Sequence, residues 1–372
     1  MEHFEITHLD SFFQDIIRKF PAQYRFSSFL ITHLLPERPS FVRAVAEQTE
    51  LIAVLPKPKS INEDALQEVR KITKVDTLSR QLFSKIDLAL DYLEKRAKGQ
   101  DIILLDVGGY YAGVLNELAE VFSGRIIGVV EDTENGYKRY LELDNLPCPI
   151  FSVARSRLKV PEDYLVGQSI AFSVEMLVRG RGDVLAGMEA CVIGYGKLGS
   201  SIAQMLYTRN MRVTVFDKDP VRMTQAKAAG YHVVREKKHA LSRAGVIICA
   251  TGNHSLLKED FANIKNGAYV ASVTSSEDEL ELAGLTSVYQ ITPVAPHVSR
   301  YSTVGHYFYV LADGNAVNFL HGAVVGPYIY LVQAEILVAI SKITEDLAPG
   351  LYTVADADRK IIADTWLAYF NR

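Results

Sequence analysis

The sequence predicts an α/β protein of two domains, one of them a doubly wound parallel sheet. Three observations point there. Residues 189–219 run as an apolar strand, a glycine turn, an apolar-periodic helix, a second strand and a terminal acid. The first half of the chain repeats short apolar strands and helical spacing, with polar residues gathered at the strands' C-terminal ends. The length of 372 residues, 48% hydrophobic and 23% charged, suffices for two cores.

The glycine unit is the most specific of the three. Gly194 suits a tight turn, Gly196 lets backbone approach a pyrophosphate, and Gly199 lets the helix from Lys197 to about Arg209 lie close on the sheet. That helix start, with Lys197 and Leu198 in its first turn, offers free N–H groups and the positive end of the helix dipole to phosphate. Asp217 closes the second strand, where an acid accepts hydrogen bonds from a ribose diol and repels a 2′-phosphate. The unit therefore reads as a Rossmann-type domain binding NAD in preference to NADP. Thr251, Gly252 and, further on, Asn318 complete the expected cofactor set.

Composition excludes other classes. A net charge of −4 gives no basic field for nucleic acid, and Lys237-Lys238 reads as a solvated helix face. Cys148, Cys191 and Cys249 form neither a CxxC pair nor an even framework, so reduced thiols and no metal site are expected. The first residues lack a basic segment followed by an apolar core, and no apolar run approaches the ~20 residues that span a bilayer. The expectation is a cytoplasmic protein with no membrane partner.

In chain order, residues 9–20 read as an amphipathic helix and Phe29 to Thr32 as a buried strand ending at His33. Helical spacing resumes over 37–48, and Leu51 to Leu55 is a second strand. Helices are expected over 62–72 and 78–97, then strands over 102–105, 125–130 and 149–153. Strands ending in Asp106-Val-Gly-Gly and Glu131-Asp-Thr suggest an open parallel sheet with a cleft along that edge. A long helix over 161–178 leads through Arg179-Gly-Arg-Gly, a hinge-like stretch, into the glycine unit. Strands over 246–249 and 269–273 continue the second sheet, and a hydrophobic helix over 328–343 follows a glycine-rich turn. The expected division is a substrate-binding domain of 1–165 and 328–372 around an NAD-binding domain of 166–327.

Four separated segments resemble the S-adenosylhomocysteine hydrolase family, in order and across most of the chain. Gly128-Val-Val-Glu-Asp-Thr-Glu-Asn-Gly136 is similar to that family's Gly-Ile/Val-x-Glu-Glu-Thr-Thr-Thr-Gly. Lys159 and Asp163 keep its Lys-x-x-x-Asp spacing. The glycine unit carries its Gly-Tyr-Gly. Pro296-His-Val-Ser-Arg-Tyr301 and Leu311 to Asn318 resemble its Pro-x-Val-Asp-Arg-Tyr and Leu-Ala-Glu-Gly-Arg-Leu-Val-Asn. Thr-His33-Leu-Leu-Pro-Glu37 resembles its Leu-His-Met-Thr-x-Glu.

The resemblance implies NAD as a recycled catalyst that oxidises a ribose 3′-hydroxyl, acidifying the C4′ hydrogen so that a 5′-substituent can leave. It implies Lys159 at the hydroxyl being oxidised, Asp163 and Asp132 on the ribose diol, His33 near the 5′ chemistry, and Glu37 and Thr133 as substrate contacts; His321, a few residues upstream of the family's gate segment, is a further candidate for the substrate space. Taken alone, Lys159 and Asp163 are also spaced as an exposed i,i+4 ion pair, His33 could be a structural histidine, Glu37 a helix N-terminal acid, and His321 a turn cap.

The chain departs from the family where protons are moved. Its Asp-Asp-Gly-Gly is Asp106-Val107-Gly108-Gly109, and its Asn-x-Gly-His is Ser272-Val273-Thr274-Ser275. Ala154 and Gln168 replace an asparagine and a cysteine, and Val325-Gly326-Pro327 lacks the gate histidine. The family's Lys- and Tyr-containing tail has no counterpart in Trp366 to Arg372. The implied protein is a divergent member, a homo-oligomer (dimer or tetramer), oxidising a hydroxyl of a nucleoside-like substrate with altered follow-on chemistry. Hydrolysis with displaced acid/base residues and a noncatalytic NAD-binding regulator are the other readings. A 2-hydroxyacid dehydrogenase fits less well, because Thr251-Gly252-Asn253-His254 brings no Arg, Glu and His set in that chemistry's order.

Overall fold

The computed structural model describes residues 2–79, 81–273 and 279–371. The chain divides into two compact units, Met1–Lys159 with Gly326–Arg372, and Val160–Val325.

The first unit is built on a seven-stranded parallel sheet. Its strands are β1 (Ser27–Leu34), β2 (Glu50–Ile61), β3 (Lys74–Val75), β4 (Asp101–Asp106), β5 (Arg125–Glu131), β6 (Pro149–Ser152) and, late in the chain, β15 (Gly350–Tyr352), in the order β15-β6-β5-β4-β1-β2-β3. Its helices are α1 (His3–Lys19), α2 (Arg38–Gln48), α3 (Glu63–Ile72), α4 (Ile86–Ala97), α5 (Leu115–Val121), α6 (Glu134–Leu141), α11 (Ile329–Ile343) and α12 (Asp356–Phe370).

Continuous apolar runs make these strands because both faces of the sheet are covered. Leu30, Val54, Leu105 and Val130 pack into a core with Phe13, Phe41 and Leu337, while Phe29, Ile31, Leu104 and Val129 enter a second core with Leu93 and Leu115. Alternate side chains of one strand thus serve opposite cores. The Asn62 side chain accepts from Ala65 N–H and starts α3.

One helix is shorter than its spacing suggests. The expected helix over 78–97 begins only at Ile86. Ahead of it the Ser79 hydroxyl accepts from Leu82 N–H at 3.1 Å and the Ser84 hydroxyl donates to Gln81 C=O at 3.0 Å. Serine side chains here offer the backbone partners that a helix would otherwise supply. The first helix errs the other way, since α1 begins at His3 under a reciprocal Glu2 and Glu5 cap.

The second unit carries an eight-stranded sheet in the order β12-β13-β14-β11-β10-β7-β8-β9. Its strands are β7 (Glu189–Ile193), β8 (Arg212–Phe216), β9 (His232–Val233), β10 (Val246–Cys249), β11 (Tyr269–Ser272), β12 (Gln290–Ala295), β13 (Val298–Thr303) and β14 (His306–Leu311). Its helices include α7 (Val160–Gly180), α8 (Lys197–Thr208), α9 (Pro220–Ala228) and α10 (Lys237–Leu241). Six strands are parallel; β13 and β12 extend the edge antiparallel to β14, a feature the sequence reading lacks. Cys191 and Cys249 point to one core with Ile247 and Phe261, and Val192 and Ile248 to the other. Among the described residues no helix is long and apolar enough to cross a membrane.

Candidate functional site

In the second unit the glycines occupy the positions that sterics demand. Gly194 has φ +94°, and a Cβ there would lie 2.6 Å from Ala250 O. A Cβ on Gly199 would lie 1.9 Å from Gly194 O, so only hydrogen permits α8 to start where it does. Gly196 is different. A Cβ there meets nothing nearer than Arg222 Nη1 at 3.4 Å, leaving open space over the loop. Gly196 is the N-cap of α8 and brings no side chain to the first-turn N–H groups. That open, positively polarised floor is the one a pyrophosphate occupies.

Asp217 lies just past β8. One oxygen accepts from Tyr195 N–H at 2.6 Å and the other from Asp219 N–H at 2.8 Å, so the carboxylate also fixes the glycine loop. A carboxylate has about four lone-pair directions, which leaves acceptor capacity for ribose hydroxyls. Lys197, at the start of α8, pairs through Nζ with Asp163 Oδ2 at 3.1 Å. Asp163 is in the first turn of α7, so the pair ties the two helix starts together. Leu198 rests its side chain on the core beneath α8 and contributes backbone at the helix start.

Thr251 and Gly252 follow β10 and are held by a residue that sequence reading missed. Glu279 is fully buried. Its carboxylate accepts from Gly252 N–H at 2.6 Å, from the Thr251 hydroxyl at 3.0 Å and from the Ser255 hydroxyl. Burial pushes its pKa up, against the pull of these donors. Glu279 stands in an acidic run, Glu277-Asp-Glu-Leu-Glu281, that reads as a solvated loop and gives no sign of a buried member. Asn318 is 6% exposed in the short helix Val317–His321, and its Oδ1 has no partner among the described residues. An orphaned buried carbonyl oxygen and a cradle that a Cβ would fill are what a dinucleotide satisfies, so the residues fit NAD. His321 is committed locally: Nδ1 bonds Ser173 Oγ at 2.9 Å and the ring meets Phe172 edge-on at 5.4 Å.

The first unit presents a crevice. All its strands are parallel, so their C-terminal ends share one edge. The chain runs outward from β1 to β2 and β3, and outward the other way from β4 to β5 and β6. The reversal between β1 and β4 is where ligands enter such sheets. A small recess lies there, lined among others by Thr32, Arg38, Asp106, Val107, Asp132 and Ile336. Val107 is 6% exposed where the resembling family carries an aspartate.

His33 ends β1 and its Nδ1 bonds Ser60 Oγ at 2.5 Å. Burial first, then the charges of Lys57, Arg38 and Lys159, hold its pKa well below the usual histidine value, so the ring is neutral. Lys159 closes the 3₁₀ turn Arg157–Lys159 in the first unit, while Asp163 belongs to the second. Its charge also opposes the burial that raises Glu335, a fully buried acid on α11 whose Oε1 accepts from Arg359 at 2.8 Å. Lys57 Nζ donates to Val107 C=O at 3.1 Å.

Two adjacent acids play different parts. Glu131 is fully buried and accepts from the N–H groups of Gly108, Gly109 and Thr133 and from the Thr133 hydroxyl. It shapes the glycine turn after β4. Asp132 lines the recess instead. Thr133, expected as a substrate contact, spends its hydroxyl on Glu131 at 2.6 Å and on Gly136 N–H at 3.0 Å as the N-cap of α6. Glu37 precedes α2 without capping it and lies 3.5 Å from Arg38 Nη2. Ser275 and Thr274 lie outside the described residues, as does Arg372. Among the described residues no group of three or more His, Cys, Asp or Glu could hold a metal ion.

Residues 164–324 match the family model described as S-adenosyl-L-homocysteine hydrolase, NAD binding domain. Among solved structures, a phosphoglycerate oxidoreductase from Vibrio cholerae O395 is similar at 11% identity over 71% of this chain and 80% of that one, with a TM-score of 0.44. A D-lactate dehydrogenase from Escherichia coli shares 15% identity over 66% and 74%, with a TM-score of 0.36. An L-alanine dehydrogenase shares 13% over 91% and 99%, again at 0.36. At such TM-scores these likenesses carry no functional weight. NAD is the cofactor of the second unit.

Proposed function

Because residues 164–324 match the model of the NAD-binding domain of S-adenosyl-L-homocysteine hydrolase, we propose that the protein oxidises a ribose-type hydroxyl of a nucleoside or related substrate, with follow-on chemistry other than thioether hydrolysis. Bound NAD supplies the hydride acceptor. Lys159 receives the hydroxyl proton at Nζ, and Asp132 accepts a hydrogen bond from the substrate diol. His33, held through Nδ1 by Ser60, stands at the end of β1 in its neutral form.

One observation carries the change in chemistry. Val107 lines the recess at the end of β4, where the resembling family has an acid/base aspartate. A valine moves no proton, and a lost acid/base typically costs ~10²–10⁴-fold in the step it serves. Oxidation needs no group at that position; elimination of a poor leaving group does.

The test is Lys159→Ala in the whole chain. The expected result is that substrate no longer reduces bound NAD while NAD affinity is retained. Reduction at the wild-type rate would remove Lys159 from the mechanism.

A further inference from the structure

We propose that the crevice of the first unit selects a substrate carrying an anionic group, a carboxylate or a phosphate, received by Arg38 and Lys57. The inference rests on the reading that this crevice is the substrate site.

Arg38 is 5% exposed and lines the recess. Its Nη1 donates to Thr32 Oγ1 at 3.0 Å, its Nη2 lies 3.5 Å from Glu37 Oε1, and its Nε has no partner among the described residues. A guanidinium brings five N–H donors in a planar fork matched to carboxylate and phosphate. Buried with one long acid contact and a donor unused, it is short of anionic partners. It also stands in the first turn of α2, where the helix dipole already makes the potential positive. Lys57, reaching over from β2, bonds Val107 C=O, and Val107 lines the same recess.

The opposing charges are Glu37, Asp106, Glu131 and Asp132. Glu131 is enclosed by backbone N–H groups, and Asp106 Oδ2 is taken by Tyr140 O–H at 2.7 Å and Tyr111 N–H at 3.1 Å. Burial raises the pKa of both acids, against the pull of these donors. Asp132 remains at the recess and suits the hydroxyl end of a substrate. At position 107 an apolar wall stands where a carboxylate would repel an anion.

The experiment is equilibrium binding of ribose, ribose 5-phosphate and ribonate to the whole protein saturated with NAD, so that the pyrophosphate site is filled. At least one of the two anions should bind ten-fold or more tightly than ribose, and which one identifies the group. Arg38→Gln should bring that preference within about two-fold; Lys57→Gln should reduce it and serves if Arg38→Gln does not fold. Equal binding of the three probes, no binding of any, or a preference unchanged in both variants would overturn the proposal. Reduction of NAD is recorded separately, and its absence would count against hydroxyl oxidation without touching the anion preference.

Discussion

Replacing Gly199 and Gly196 separately by alanine should divide the glycine motif into a folding part and a binding part. A Cβ on Gly199 falls 1.9 Å from Gly194 O, against about 3.4 Å for ordinary contact, so the start of α8 must retreat by the difference, about 1.5 Å. Overpacking of this kind costs ~1–3 kcal/mol. In a domain of this size each kcal/mol moves the melting temperature by roughly 2–4 °C, which gives a loss of roughly 2–12 °C for Gly199→Ala. Gly196 has φ −80° and open space at its Cβ, so Gly196→Ala should melt within about 0.5 kcal/mol of the wild type. Its methyl group instead fills the floor on which the pyrophosphate sits, and NAD affinity should fall by ten-fold or more. Thermal unfolding without NAD and calorimetric titration with NAD read the two effects apart. A Gly199→Ala protein with unchanged melting, or a Gly196→Ala protein that melts as low as Gly199→Ala, would refute the assignment of the two glycines.

Two further outcomes follow from buried groups. Burial pushes the Cys148 and Cys191 thiols up to about 12 and raises Cys249 well above the usual thiol value, so none should react with a disulfide reagent at pH 8 until the chain unfolds; a fast thiol in the native protein would contradict this. His33 is held neutral in the fold, so as pH falls through the ordinary histidine value of ~6.5 the unfolded chain takes up a proton that the folded one refuses, and stability drops. A His33→Gln variant should lose that part of the acid sensitivity, and an unaltered pH–stability slope would place the titration elsewhere.

The parts legible in the sequence are those fixed by local sterics or by unbroken apolar runs. Gly194 declares itself by its positive φ and Gly199 by its approach to Gly194 O, and strands such as Ile102 to Leu105 are apolar throughout because both sheet faces are covered. The antiparallel edge over 290–303 left no such trace, since β12 is largely exposed or half-buried and has no apolar run. Long-range pairing was equally silent. Asp163 and Lys197 meet at 3.1 Å, yet Asp163 reads in sequence as a partner for Lys159, four residues away. Glu279 and Arg38 are charged residues whose burial depends on what the fold brings over them, and neither lies in a pattern that reveals it.

The most direct measurement is the absorbance near 340 nm of the NAD-loaded protein after addition of adenosine, ribose 5-phosphate or other ribosides. Hydroxyl oxidation predicts a reduced-nicotinamide band with at least one of them in the wild type and none in Lys159→Ala. Bound NAD that no riboside reduces would contradict it.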